Sequence, residues 1–246
     1  MIDLVVVALL GLGTALATGL GAIPVAVLGD RAPRSGPLLL GLAAGVMTVA
    51  AVVGLLLPAI DEGSGAEVAA GCIAGALFLL FAERVLKPDA SFMGKTGAGA
   101  RSSALVFMVL AIHSLPEGFA VGSAYASGDV ALGVFVIAAI AIQNIPEGTA
   151  VAVPMQQAGF GFGRQFWAAV GTSLPQPLGA VIAYLAVNQV SALLPVSFAF
   201  AAGAMLTLVL IEVLPDAYKS GDWRLPSAGL AAGAALMLGM SAALGV

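Results

Sequence analysis

"AIHSLPEGFAVG", residues 111–122, is followed by "AIQNIPEGTAVA", residues 141–152, and seven of the twelve aligned positions are identical. The first copy holds the single histidine of the chain, His113. Both copies lie inside long apolar runs. A glutamate, a proline and a glycine in such a run are costly, and here they are placed there twice. The surroundings of these two segments decide the fold.

The chain has 246 residues, is 61% hydrophobic and 9% charged, and has a mean hydropathy of +1.09. That composition excludes an ordinary soluble domain. About 20 apolar residues cross a bilayer, and eight such spans fit, over 2–28, 37–60, 66–86, 104–126, 130–157, 164–188, 192–218 and 226–245. The runs are too long for tilted β-strands, so the expected fold is an all-α polytopic membrane protein. The whole chain reads as one transmembrane domain. Its largest polar connection is "ERVLKPDASFMGKTGAGARSS", 83–103, with the cytoplasmic loop expected over 87–103.

All nine basic residues fall in the odd-numbered connections or at their edges: Arg31, Arg34, Arg84, Lys87, Lys95, Arg101, Arg164, Lys219 and Arg224. The other side carries Asp3, Asp61, Glu62, Glu67 and Asp129 and no base. The positive-inside rule then puts the odd connections in the cytoplasm and both termini outside, in the cytoplasmic (inner) membrane. The first span starts "MIDLVVVALL", without the basic n-region of a cleaved signal peptide. Cys72 stands alone, so no disulfide forms within the chain and the residue reads as a small buried hydrophobe. Trp167, Trp223, Tyr125, Tyr184 and Tyr218 fall near span ends, where an interfacial belt or ordinary packing both place aromatics. No basic cluster reads as a nucleic-acid surface. The lipid bilayer is one expected partner, and a homodimer is compatible with the sequence.

A weaker repeat links spans 2 and 7. "AAGVM" (43–47) leads to "LLLPAI", and "AAGAM" (201–205) leads to "EVLPDA". Opposite-facing copies point to a 3+2+3 inverted repeat, with spans 1–3 related to 6–8 around a 4–5 hairpin closed by "ASGDV". Inverted repeats with a midplane site are common in transporters. Small-xxx-small pairs such as Gly41/Gly45, Gly71/Gly75 and Gly229/Gly233 allow close helix approach, although Gly/Ala-rich membrane sequence produces such pairs generically.

His113 and Glu117 are four residues apart, on one helical face; Gln143 and Glu147 repeat that spacing in span 5. His113 is about ten residues, or ~15 Å, into its span, so the two pairs reach similar depth in an antiparallel hairpin. Pro116 and Pro146 each remove a helical hydrogen bond and free the carbonyl four residues earlier. An ionised carboxylate near the bilayer centre is expensive, and two facing each other are more so. A proton relieves that cost, and so does a divalent cation. One imidazole, two carboxylates and an amide oxygen form a mixed N/O set suited to Zn²⁺, Fe²⁺, Mn²⁺ or Co²⁺. A single His–Glu pair in a membrane span is often only a structural hydrogen bond; two Pro-Glu-Gly motifs on antiparallel helices favour a metal site.

"HSLPEG" and "QNIPEG", together with "AAGVM…LLLPAI", "GTSLPQPLGA" in span 6 and "AAGAM…EVLPDA", resemble the ZIP family of divalent metal transporters, in particular its bacterial GufA-like branch. The likeness runs over nearly the whole chain. It implies the 3+2+3 arrangement, metal movement toward the cytoplasm, and a midplane binuclear site on spans 4, 5 and 6. The metal is then substrate (Zn, Fe, Mn, Co or Cd), with no organic cofactor.

Two positions depart from the family pattern, and a third takes its uncharged form. Ser114 replaces an Asn, Asn144 stands where Asp or Asn is found, and Gln176 replaces a Glu. These correspond to the second metal of the pair and read as remnants of that site. The primary set His113, Glu117, Gln143 and Glu147 is intact, so a mononuclear site is expected. The resemblance puts Glu212 and Asp216 on the exit route and leaves Met47 to line the site or simply to pack. Residues 83–103 hold no histidine, which removes the histidine-rich loop of many relatives. An intramembrane zinc protease is poorly supported, because there is no H-E-x-x-H. A metal sensor that binds without transporting is the remaining alternative.

The orientation has a direct test. Cysteines introduced at positions 2 and 95 in intact cells should react with a cell-impermeant thiol reagent at 2 and not at 95. The opposite pattern would reverse the topology.

Overall fold

The computed structural model describes residues 2–85, 91–92, 95–96, 98–219 and 221–246. Eight helices are long and apolar enough to cross a membrane. We number them α1 (Ile2–Leu28), α2 (Ala32–Glu62), α3 (Gly65–Val85), α4 (Ala98–Ala126), α5 (Val130–Gln157), α6 (Phe162–Gln189), α7 (Ser191–Tyr218) and α8 (Arg224–Leu244). The only other regular structure among the described residues is a two-residue antiparallel ladder, Ser91–Phe92 with Lys95–Thr96. The chain is therefore an all-helical polytopic protein. α4 begins at Ala98, so residues 98–103 are helical where a loop was expected. Of that loop, residues 86–90, 93, 94 and 97 lie outside the described residues.

Local chemistry sets the helix ends. At the start of α3 the Ser64 amide donates to Glu67 Oε2 at 2.7 Å, and the Glu67 amide donates to Ser64 Oγ at 3.3 Å. This reciprocal capping satisfies two orphan donors. Asp129 caps α5 by accepting from the Leu132 amide at 3.0 Å. The tight connection before it turns at Gly128, whose φ of +75° only glycine adopts freely. Pro116 and Pro146 lie inside α4 and α5, and both helices continue through them.

Two helices change pitch. Residues Val52–Leu56 of α2 and Val209–Val213 of α7 are π-helical, and each stretch runs into a Leu-Pro pair, Leu57–Pro58 and Leu214–Pro215. Pro58 and Pro215 lack the N–H that an α-helical bond back to residues 54 and 211 requires. The wider turn ahead of each proline absorbs that loss.

Burial ranks the helices. Only 22% of the most apolar stretch of α3 and of α8 is buried, against 61% in α2, α4 and α7. The first two are thus peripheral and the last three central. α2 packs on α8, α3 on α7, α4 on α6, and α1 on α5 and α6. α2 also meets α5, and α4 meets α7. Exchanging helices 1, 2 and 3 with 6, 7 and 8, and 4 with 5, maps these pairings onto one another.

The close approaches are made by backbone. A Cβ at Gly148 would run into the Thr18 carbonyl of α1, and one at Gly118 into the Gln176 carbonyl of α6. Both glycines belong to the repeated Pro-Glu-Gly motif, so the motif brings two further helices against its own glutamates. Small residues at such contacts let dispersion and weak backbone interactions act at short range. Gly148→Ala should therefore lower stability by about 1–3 kcal/mol, seen as a reduced unfolding temperature of the detergent-solubilised protein. An unchanged temperature would contradict the close seating of α1 on α5.

Candidate metal centre

α4 and α5 run antiparallel and bring the two copies of the motif together in the interior. His113, Ser114, Glu117, Gln143, Asn144, Glu147 and Gln176 are all at least 95% buried, with Glu147 the most exposed at 5%. Gln143 Nε2 donates to Glu117 Oε1 at 2.9 Å. Gln176 Nε2 donates to Glu117 Oε2. Both carboxylate oxygens of Glu117 are thereby engaged by amides from α5 and α6. Among the described residues, the buried oxygens Gln143 Oε1 and Glu147 Oε1 have no hydrogen-bond partner. An acceptor stranded in this way is costly, and a cation is what such a pair of oxygens can take.

His113 turns toward α7. Its Nε2 lies 3.3 Å from Glu212 Oε2, and the Glu212 side chain is 30% exposed. Glu212 sits in the π-helical turn, which carries it to the imidazole. Lys219 pairs with Asp216 at 3.6 Å on the exposed end of α7. A cavity of about 90 Å³ is lined by His113, Glu147, Glu212 and Asp216 together with Leu40, Leu110 and Leu208. A larger groove of about 480 Å³, near Leu10, Tyr125 and Val134, has Asp129 as its only charged lining residue and lies apart from the motifs.

Among the described residues, no three His, Cys, Asp or Glu side chains converge in the manner of a finished metal cage. The acidic and imidazole groups are instead split, with Glu117 held by amides and His113 facing Glu212. The fourth member of the expected set is an amide oxygen, Gln143 Oε1.

Other expected residues have distinct surroundings. Ser114 donates to the Leu110 carbonyl one turn back at 3.0 Å, an ordinary helix back-bond. Met47 is fully buried in the main apolar core and is not among the residues lining the cavity. Asn144 and Gln176 meet each other beside Glu117, with Asn144 Nδ2 donating to Gln176 Oε1 at 3.2 Å.

α1 contributes polar contacts that sequence reasoning missed. Thr14 Oγ1 donates to Gln176 Oε1 at 2.8 Å, and Thr18 Oγ1 and Ser173 Oγ share a hydrogen bond of 2.6 Å. Thr149 Oγ1 reaches back to the Gly21 carbonyl at 3.0 Å. The available signal was the spacing of Thr14 and Thr18, four residues apart on one face of an otherwise apolar helix.

The comparisons with known proteins agree with this architecture. The family model described as ZIP Zinc transporter matches residues 93–241. The chain is 35% identical to the zinc transporter GufA of Myxococcus xanthus, covering 93% of this chain and 95% of that one. It is 36% identical to the zinc transporter ZIPB of Bordetella bronchiseptica, over 93% of this chain and 78% of the relative. A putative zinc transporter of Arabidopsis thaliana is 38% identical over 88% of this chain, which spans only 35% of that protein's length. A membrane-embedded helical bundle, a matched family model and relatives covered nearly end to end make the chain a member of the ZIP family of zinc transporters.

Proposed function

We propose that this protein carries divalent transition-metal ions of the Zn²⁺, Fe²⁺ and Mn²⁺ kind across the cytoplasmic membrane toward the cytoplasm, with both termini outside. The ion is substrate, held one at a time near the midplane by Glu117 and Glu147, Gln143 Oε1 and His113. The relatives' names support zinc in the first place.

The observation that carries this reading is the pair of unpartnered buried oxygens, Gln143 Oε1 and Glu147 Oε1, beside a carboxylate and an imidazole. Oxygen and imidazole donors suit borderline divalent metals. Two glutamates match the charge of one such ion, so the filled site is neutral in a low-dielectric interior where net charge is costly.

The lining of the cavity supports the direction. Glu147 and His113 line one space together with Glu212 and Asp216, and Asp216 pairs with Lys219 at the basic end of α7. By the positive-inside rule that end is cytoplasmic. Glu212 already faces His113, so an ion leaving the imidazole meets a carboxylate next, and the half-exposed Asp216 after it. Exchange of His113 between the ion and Glu212 supplies a step between bound and released states. The permuted helix pairings and the twin π-turns support the 3+2+3 inverted repeat, a symmetry that lets one chain present alternative access to a central site.

The test is Zn²⁺ uptake into proteoliposomes loaded with a fluorescent zinc reporter. The unaltered protein should fill the vesicles, and Glu117→Ala and Glu147→Ala should each fall to the level of protein-free liposomes. Full uptake by either variant would refute the assigned site. Binding without uptake by the unaltered protein would replace transport with sensing.

A further inference from the structure

We infer that the groove between α1 and the ends of α4 and α5 nearest their connecting turn binds one acyl chain of a phospholipid whose headgroup carries a primary ammonium, as phosphatidylethanolamine does. It stands apart from the metal site and does not depend on it.

The groove holds about 480 Å³, within the usual range of ligand pockets. Leu10 of α1 forms one wall, and Val130, Gly133, Val134 and Ile137 of α5 form the other. These α5 residues recur at three- and four-residue spacing and share one helical face. Deeper in the bundle the same face carries Asn144 and Gly148. There α5 is shut against α1. Asn144 Nδ2 donates to the Thr14 carbonyl at 2.7 Å, and Gly148 leaves no room for a Cβ beside the Thr18 carbonyl. From Ile137 to Asp129 the face opens onto the groove instead.

Gly133 makes the space. Gly118 and Gly148 each seat the backbone of a neighbouring helix. Gly133 is buried too, yet a Cβ there would meet only the Ala124 carbonyl, at an ordinary 3.7 Å. Glycine inside a helix costs stability relative to alanine, and here no close backbone approach requires it. Its effect is room between apolar walls, and such walls gain dispersion contacts only from something that fills them.

The position of the groove selects the occupant. From Asp129 to Ile137 is ~12 Å of helix at 1.5 Å per residue, close to the ~15 Å of hydrocarbon in one leaflet. Val130 and Val134 on its rim are 79% and 48% exposed, so the groove opens sideways onto the surface that lipid covers. A hydrocarbon chain suits these walls, whereas a peptide would bring backbone polar groups that they cannot pair. The mouth is acidic. Asp129 is the only charged lining residue, and beside it the Tyr125 hydroxyl donates to Asp3 at 3.1 Å. Asp61, Glu62 and Glu67 belong to this end as well, and the nine Lys and Arg residues fall in the connections at the opposite end. A headgroup ammonium is attracted to that rim, and a headgroup of net negative charge is repelled. The chain in the groove braces α1 against the α4–α5 hairpin, beyond the reach of the Asn144 and Gly148 contacts.

The experiment is photolabelling of the protein in phosphatidylcholine liposomes that contain a little phospholipid with a diazirine on its acyl chain, the headgroup being ethanolamine or glycerol. Mass spectrometry then locates the adducts. The ethanolamine probe should label Leu10 and residues 124–137 about three-fold more than the glycerol probe does, a difference on the scale of an exposed ion pair. On the exposed face of α3, at Ile73, Leu77 and Phe81, the two probes should label alike and more weakly. Gly133→Leu fills the groove and should bring its labelling by both probes down to the level of α3. Asp129→Asn keeps an N-cap residue on α5 without the charge; chain labelling should persist there and the two probes should become equal. Groove labelling no stronger than that of α3 in the unaltered protein would mean bulk lipid only and would overturn the inference. So would undiminished groove labelling in Gly133→Leu. Equal labelling by the two probes in the unaltered protein, or an ethanolamine preference that survives Asp129→Asn, would overturn the headgroup assignment.

Discussion

Two carboxyl groups buried at the centre of an apolar bundle govern the design of this protein. Glu117 and Glu147 are almost wholly buried, and lipid cannot solvate them. Each must find compensation from side chains on other helices. Glu117 takes amide hydrogens from α5 and α6, and Glu147 keeps an oxygen without a partner. The first is satisfied by amide donors; the second leaves a buried acceptor unmet. A site fully satisfied by protein would have little affinity left for a passing ion, and a site wholly unsatisfied would not pack.

The same demand explains why the motif contains glycine. Amides can reach Glu117 only if α6 comes very close to α4, and Gly118 permits the contact with the Gln176 backbone. Gly148 does the same for α1 on α5, and α1 in turn supplies Thr14 to the amide relay. Proline, glutamate and glycine in sequence are thus a single device: a helix interruption, a charge and a place for the neighbour that steadies the charge. Repeating it on antiparallel helices brings two halves of one centre together at the same depth.

Away from the centre, the structure combines tight and looser contacts. Backbone-to-backbone packing through glycine joins α2 to α8 and α3 to α7, and joins α1, α4, α5 and α6 around the amide relay. Where α2 meets α5, the contact at Gly54 is with the side chains of Phe135 and Val136. The π-turns of α2 and α7 stand in the central helices, and that of α7 carries Glu212 to His113. Local widening of a helix at a functional residue is a recurrent use of π geometry. Here it gives Glu212 its reach toward the imidazole.

Much of this was legible in the sequence because it depends on local quantities. Helix number follows from the length of apolar runs, and the depth of His113 and Glu147 follows from counting residues along a helix of known rise. The four-residue spacing put His113 with Glu117 and Gln143 with Glu147 on common faces. What each side chain meets across the bundle was not legible. Helices that are apolar on all sides carry no stripe to reveal which way they face, so nothing in "GLGTALATGL" announced that Thr14 would hold Gln176. Nor did spacing indicate that His113 would turn to Glu212, that Ser114 would bond within its own helix, or that Met47 would pack away from the cavity. The direction of the Gln176 amide is the clearest case. Its oxygen accepts from the hydroxyl of Thr14, 162 residues distant in the chain, brought near by the rotation and depth of the helices. Sequence by itself determined which polar groups enter the apolar spans and how far along each helix they lie; only tertiary packing decided which of them are satisfied and which keep an unpartnered atom.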